Sequence, residues 1–457
     1  MNDQSHIAAT EDAGSSPAMA PVFGSLVSGV AVTFVTRVVV LTCVLGSSVV
    51  VARWLGPAGT GALAVLNVTV ALALQLGSAG IPSATTYFVA KQPAIMRSVW
   101  SNGLLFSFSA GVLIAAGVVL VAEVRPAIFN GVPARLVAIV AISIPFQLVT
   151  LLGLNLLLAI DRIRLMNVLD GLSSLLIFAN ASAVLVIWRR DLTTLVWFNT
   201  VSAVGLTLLL IWSISRVMRQ RGQGAAAPDL SLLGRMLVYG LKFYLCIFAG
   251  FLILRADLLI VNRFRGAETA GVYAIASQFS FLLIMLPGVI ASLLFPRVAA
   301  RQDETVAYTV EVTRHTSFVM LVLCLAAAPA AFALPLVYGG RFADATIQFL
   351  ILLPGVFFIS LESVLVQYFT GTGLPAQIPF FWMVTVAVNL ALNLALVPIW
   401  GARAAAIDST ISYALIFVLV TGYFCRRTGY NPLLVVTPRA PEFRVILTRL
   451  QRRAFAK

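Results

Sequence analysis

Charge is scarce in this sequence. Only 11% of its 457 residues are Asp, Glu, Lys or Arg, against about a quarter in a typical soluble domain. With 60% hydrophobic residues, such a chain cannot cover a water-soluble fold with polar surface. Histidine is nearly absent: His6 and His315 are the only two, and no metal-ligand spacing surrounds either. The four cysteines (Cys43, Cys246, Cys324 and Cys425) are far apart and form neither a disulfide framework nor a CxxC pair. No hydrolase, kinase or metal motif appears, and nothing calls for a cofactor. Short alternating segments of about ten residues, the mark of a membrane β-barrel, are missing as well. Residues 1–21 contain Asp3, Glu11 and Asp12 but no Lys or Arg before the first apolar run. They therefore do not form a signal peptide and read as a disordered cytoplasmic tail.

What is present is a succession of long apolar runs. About 20 apolar residues cross a hydrocarbon core of ~30 Å as a helix, and a helix satisfies its own backbone in lipid. The runs predict an all-α integral membrane protein with twelve spans. Their ranges are 22–51, 62–90, 98–121, 134–158, 167–188 and 193–215, then 236–261, 271–295, 314–337, 346–369, 377–398 and 403–424. Pro82, Pro145, Pro287, Pro329, Pro335 and Pro354 fall inside them. Each would either kink its helix or be an ordinary membrane-helix proline.

The net charge of +14 alone would admit a nucleic-acid partner. The Lys and Arg residues, however, sit in short stretches between spans and in the C-terminal tail, as in a membrane protein with basic cytoplasmic loops, so no nucleic acid is expected. With both termini inside, 19 basic residues fall on the inner side and nine on the outer. Without the tail the ratio is 11 to nine, so the orientation leans on the tail. The tail itself, within 425–457, carries RAPEFRVILTRLQRRAFAK from 439 and reads as an amphipathic helix on an anionic leaflet.

The stretch 216–235, with Gly222, Gly224 and Pro228, divides the chain into six-span bundles over 22–215 and 236–424. These halves resemble each other. ARWLGPAGTG at 52–61 superposes on NRFRGAETAG at 262–271 with a shift of 210 residues, and Ala90-Lys91-Gln92 falls on Ala300-Arg301-Gln302. Ile187-Trp188 matches Ile399-Trp400 at a shift of 212. An equal number of spans per half makes this a parallel repeat, an architecture of transporters.

A charge at membrane depth costs ~2.5–3.5 kcal/mol on insertion scales and usually faces a cavity or a partner. Arg37 lies mid-way along span 1, too deep to snorkel, and shares a face with Thr33. It would offer a planar fork to phosphate or else pair with another span, for instance with Glu362. Lys242, Arg255 and Asp257 lie in span 7, the repeat counterpart of span 1. Lys242 and Arg255 are close enough to the span ends to snorkel. Glu362, in mid-span 10, is a proton site, a partner for Arg37 or a carboxyl bonded to a neighbouring helix. Asp408 reads as a helix N-terminal residue. Asn389 and Asn393, spaced i, i+4, read as helix-to-helix glue. Arg37, Lys242, Arg255 and Glu362 are thus the candidates for a net-positive substrate cavity.

The hairpin ARWLGPAGTGALAVL resembles the opening of Wzx-type polysaccharide and O-antigen flippases, in the multidrug/oligosaccharidyl-lipid/polysaccharide exporter superfamily. RADLLIVNRFRGAETAGVYAIA at 255–276, YGGRF at 338–342, FTGTGLP at 369–375 and NLALVPIWGARAAAIDSTISYAL at 393–415 are similar to that family's pattern, and the likeness covers residues 22–425. It implies two six-helix bundles in a V around a central cavity, working by alternating access in a bacterial inner membrane. It also implies a polyprenyl-pyrophosphate-linked glycan as substrate, with membrane lipids, a polysaccharide polymerase and glycosyltransferases as partners. Two rivals stand beside it. A cation-coupled multidrug exporter should carry acids deep in spans 1, 2 or 7, and here span 1 holds a cation while Asp257 lies near an end. A membrane polymerase or ligase should carry a large outer loop, and the longest outer loops here are short. A flippase for the peptidoglycan precursor is a third possibility, separated from the others by the lethality of its loss.

Overall fold

The computed structural model describes residues 20–220, 227–300 and 305–437. The N-terminal stretch expected to be a disordered tail, the centre of the linker and the basic tail expected to be an interfacial helix lie outside the described residues. Among those described, ten helices are long and apolar enough to cross a membrane. Two of them, Thr36–Ser78 and Tyr244–Gly288, are 43 and 45 residues long. Each holds two spans, which gives the twelve expected.

The long helices turn corners at Gly56 (φ 66°, ψ −172°) and Gly266 (φ 79°, ψ 172°). A residue with a Cβ is strained at such values, so each corner rests on its glycine. Pro57 follows the first corner, where its missing N–H costs nothing because the first N–H groups of a helix have no intrahelical acceptor. The corners are 210 residues apart, the same shift that relates the halves in sequence.

Several boundaries differ from the sequence reading. Span 2, expected unbroken, is interrupted at Ala79 (φ 44°) and Gly80 (φ 74°) and restarts as Ile81–Lys91. Pro82 therefore sits in a first helical turn and kinks nothing. Span 4 is split into Ala134–Ala141 and Ser143–Ala159, with Pro145 again near a helix start. Pro329 and Pro354 do lie inside helices. The linker is shorter than 216–235, because helix runs on to Gln220 and resumes at Leu230. Asp229 starts the new helix by accepting from the backbone N–H groups of Ser231 (2.9 Å) and Leu232 (3.1 Å). Buried Asn102 of span 3 fixes Asp229 from both sides: its amide donates to the Asp229 carbonyl (2.8 Å) and its carbonyl accepts from the Asp229 N–H (2.7 Å).

Packing separates the two ends of the molecule. At the end carrying the Gly56 and Gly266 corners, the hairpin end, residues of both halves form one buried core, including Val65, Leu66, Leu136, Val261, Tyr273 and Phe349. At the opposite end, the linker end, there are two cores, and the start of the helix that opens the second half packs into that of the first through Leu232 and Met236. One is built on Val99, Leu152 and Ile214, the other on Ile253, Leu365 and Phe424. The halves therefore form a V joined at the hairpin end.

The joint is reciprocal. A Cβ on Gly61 would overlap the carbonyl of Ala267, and one on Gly271 would overlap the carbonyl of Pro57. The 210 shift exchanges these two contacts. The loops beyond span 3 and span 9 repeat the swap: Arg53 donates to the carbonyls of Val337 (2.8 Å) and Leu336, while Asn130 donates to the carbonyl of Arg263 (3.5 Å). Each half thus caps the corner of the other.

Any side chain at position 61 or 271 must push backbone from backbone. Gly61→Leu or Gly271→Leu is expected to abolish transport while leaving membrane insertion near normal, read as polymer output against protein level. Wild-type output from Gly61→Leu would show that the contact is dispensable.

Candidate functional site

The charged candidates do not gather in one place. Arg37 donates to Asp170 of span 5 at 3.3 Å, and their side chains are 52% and 35% exposed. The pair joins two helices of one half and is only partly buried between them. Glu362 is therefore not the partner of Arg37. It lies in the other half, 2% exposed, and its Oε1 has no hydrogen-bond partner among the described residues. Arg255 is part-buried, with its guanidinium carbon 4.3 Å from the ring centroid of Phe281 on span 8. That contact holds it as a cation over an aromatic face, not as a group reaching for the membrane surface. The side chain of Lys242 lies outside the described residues.

Beside Arg37 the first half encloses a cavity of about 450 Å³. Asp170 is in its wall, with Ser47, Asn67, Gln147, Thr150 and Asn199. Asn67 is exposed and has no hydrogen-bond partner among the described residues. Amides and hydroxyls on an otherwise apolar wall suit a ligand with both kinds of surface.

The second half holds a closed polar network instead. Asp257 is 2% exposed and accepts from Tyr273, from Ser409 (3.0 Å) and from the N–H of Leu258 (2.7 Å). Asp408, fully buried, accepts from Asn389 (3.0 Å), Asn393 and Ser412 (3.4 Å). These residues come from spans 7, 8, 11 and 12. Sequence reasoning placed Asp257 near a span end and Asp408 in a helix-terminal role, and both readings are corrected here. The missed signal was the pairing of an i, i+4 amide couple in span 11 with an acid in each of two other spans.

The family described as "Polysaccharide biosynthesis protein" matches residues 50–347. The chain belongs to this family. Its fold is similar to that of an inward-facing multidrug resistance MATE family transporter of the MOP superfamily (TM-score 0.70, 13% identity, covering 86% of this chain and 98% of that one). It is also similar to the lipid II flippase MurJ in an inward closed conformation (0.70, 12%, 87% and 87%), and to the eukaryotic MATE transporter AtDTX14 (0.62, 12%, 89% and 98%). At these identities the likeness establishes the fold. A comparison with curated proteins returned no match. The protein is thus a multi-pass membrane member of a polysaccharide biosynthesis family, built on the fold of transporters and flippases.

The repeat shifts show how the halves of this family member diverge. Shifts of 210 and 212 carry Asp257, Tyr273, Asn389, Asn393, Asp408 and Ser412 onto Ser47, Leu63, Ile177, Ala181, Val196 and Thr200. All six of the latter line the first-half cavity. The cavity and the network occupy equivalent places: mostly apolar side chains surround an open space in one half, and polar side chains hydrogen-bonded to one another occupy it in the other.

Removing Asp408 strips a buried acceptor from Asn389 and Asn393. Asp408→Ala is expected to destabilise by about 1–3 kcal/mol, the cost of unpaired buried donors, and Asp408→Asn by less. Thermal unfolding of the purified chain in detergent checks this; equal melting of Asp408→Ala and wild type would mean that the network does not hold the second half together.

Proposed function

We propose that this protein moves a polyprenyl-pyrophosphate-linked oligosaccharide across the bacterial inner membrane by alternating access, for assembly of a surface polysaccharide. The observation that carries the reading is the match to a polysaccharide biosynthesis family over residues 50–347, on a V-shaped fold whose halves share an extensive core at the hairpin end. A V open at one end admits a headgroup from that side while the lipid tail stays in hydrocarbon. The linker end would face the cytoplasm, with both termini there. No catalysis is needed: the work is to shelter an anionic, hydroxyl-rich headgroup in a place where hydrocarbon would exclude it.

Arg37 is the cation for the diphosphate in this reading. Its half-exposed pair with Asp170 is weak enough to exchange partners, so the headgroup can be held and then released. The open cavity beside it, lined by Asn67, Gln147 and Asn199, would take sugar hydroxyls. In the second half, two buried acids, Asp257 and Asp408, share one polar region. A proton or small cation entering there would compensate their charge and couple transport to an ion gradient. The buried Asp257 removes one argument against a cation-coupled drug exporter. The polysaccharide family favours the glycan substrate.

The test is genetic and chemical. Deletion should remove one surface polymer and leave growth intact, with lipid-linked repeat units accumulating on the cytoplasmic side. Lysis on depletion would point to the peptidoglycan precursor instead. Increased sensitivity to drugs with normal polymer would point to drug export. Arg37→Ala, at normal protein level, is expected to lower polymer output at least tenfold, and Arg37→Lys less. Unchanged output from Arg37→Ala would remove Arg37 from the mechanism.

A further inference from the structure

At the linker end, two helices face each other across a groove that shares no lining residue with the first-half cavity. One is Ile81–Lys91, the detached end of span 2. The other is the start of the long helix that begins at Leu230. Tyr87, Phe88, Lys91 and Gln92 line one wall, and Ser231, Arg235, Val238 and Tyr239 line the other. Both sets follow helical spacing, so each is one continuous face. The space between them is about 690 Å³.

The groove is preformed. Tyr87 and Tyr239 stack across it with ring centroids 4.3 Å apart and planes 16° off parallel, and Phe88 meets Tyr239 edge-on at 5.9 Å. Leu232 and Met236, on the back of the second helix, are buried in the core that also holds Ile81, Val89 and Val99. Gly80 and Gly240 lie backbone to backbone, with no room for a Cβ on either. Tyr244 donates to the carbonyl of Gln75 at 2.9 Å. The Asn102 clamp on Asp229 fixes the entry to the second helix.

The lining carries two cations and no acid. Lys91 sits 5.8 Å from the Tyr87 ring centroid, and neither it nor Arg235 forms an ion pair among the described residues. Asp229, at the start of the same helix, has its carboxylate already engaged by Ser231 and Leu232. Apolar residues are exposed along the same helix: Leu230 is 70% exposed, Val238 65% and Leu241 51%. A soluble anion has no use for that apolar flank, whereas a lipid places its phosphate on the cations and its chain along the flank.

We infer that this groove, formed by Tyr87, Lys91, Arg235 and Tyr239, binds the phosphate or diphosphate headgroup of a membrane lipid. The Arg235 fork and the Lys91 ammonium donate to phosphate oxygens, and the stacked tyrosines wall off the far side. One wall belongs to the first half and the other to the first helix of the second half, which already packs on the first half through Leu232 and Met236, so a bound lipid sits on a junction between the halves that is held in place without it.

The full-length protein, delipidated in detergent, is titrated with undecaprenyl pyrophosphate, phosphatidylglycerol, phosphatidylcholine and inorganic pyrophosphate, and bound adducts are followed by native mass spectrometry. Wild type is expected to retain at least one of the two anionic lipids, and K91Q/R235Q to bind it about thirtyfold more weakly. The single variant K91Q should lie between, and R426Q/R427Q, outside the groove, should match wild type. A loss confined to phosphatidylglycerol identifies bulk anionic lipid as the occupant; a loss confined to undecaprenyl pyrophosphate identifies the carrier lipid. K91Q/R235Q binding every probe as wild type does, R426Q/R427Q losing as much, or inorganic pyrophosphate binding as tightly as either lipid would each overturn the site. Melting of lipid-free K91Q/R235Q at the wild-type temperature separates loss of the site from loss of the fold. The groove stands apart from the identity of the transported glycan, so its failure would leave the polymer assay, and the function that assay tests, unaffected.

Discussion

Backbone-to-backbone contact between the halves is the constraint on which the architecture rests. Gly61 against Ala267 and Gly271 against Pro57 bring helices of opposite halves closer than any side chain allows. Small residues at such crossings are how helices associate in lipid, where the solvent is as apolar as the side chains and dispersion needs close approach. Because the two contacts exchange under the repeat, the joint lies on a pseudo-twofold axis. The corner glycines, the swapped loops and the arginine clasp from Arg53 to Leu336 and Val337 are all arranged around it. A molecule joined this way at one end and with two cores at the other is built to open and close about the joint.

Symmetry of backbone coexists with asymmetry of chemistry. Equivalent places in the halves hold an open cavity and a filled polar network. Duplication supplies two copies of one scaffold, and side-chain polarity then decides whether a place is lined by apolar groups or closed by hydrogen bonds. Ala181 and Val196 cannot form the hydrogen bond that ties Asn393 to Asp408. Such a division lets one half receive a bulky polar group while the other stores charge that an ion or proton can balance. The Arg37–Asp170 pair, in the open half, is a charge pair within the spans that packing leaves only partly buried.

The sequence by itself determined the spans, their division into halves and the repeat that relates them. Each follows from local facts: hydrocarbon thickness fixes run length, and a helix meets its own hydrogen-bonding needs, so apolar runs need no knowledge of their neighbours. The corner glycines were also legible, because the aligned GPAGTG and GAETAG segments carry glycine at the same two places. Pairing was not legible. Nothing in the order of residues says that Arg37 meets Asp170, 133 positions away, or that Asp257 and Asp408 enter a network with Asn389 and Asn393. Depth along a span can be counted, but rotation about the helix axis and the choice of neighbour are set by packing among twelve helices. The tertiary structure alone decided which buried charges are partnered, which half keeps its cavity, and which two helix faces meet across the linker-end groove, because each depends on contacts between residues that only folding brings together.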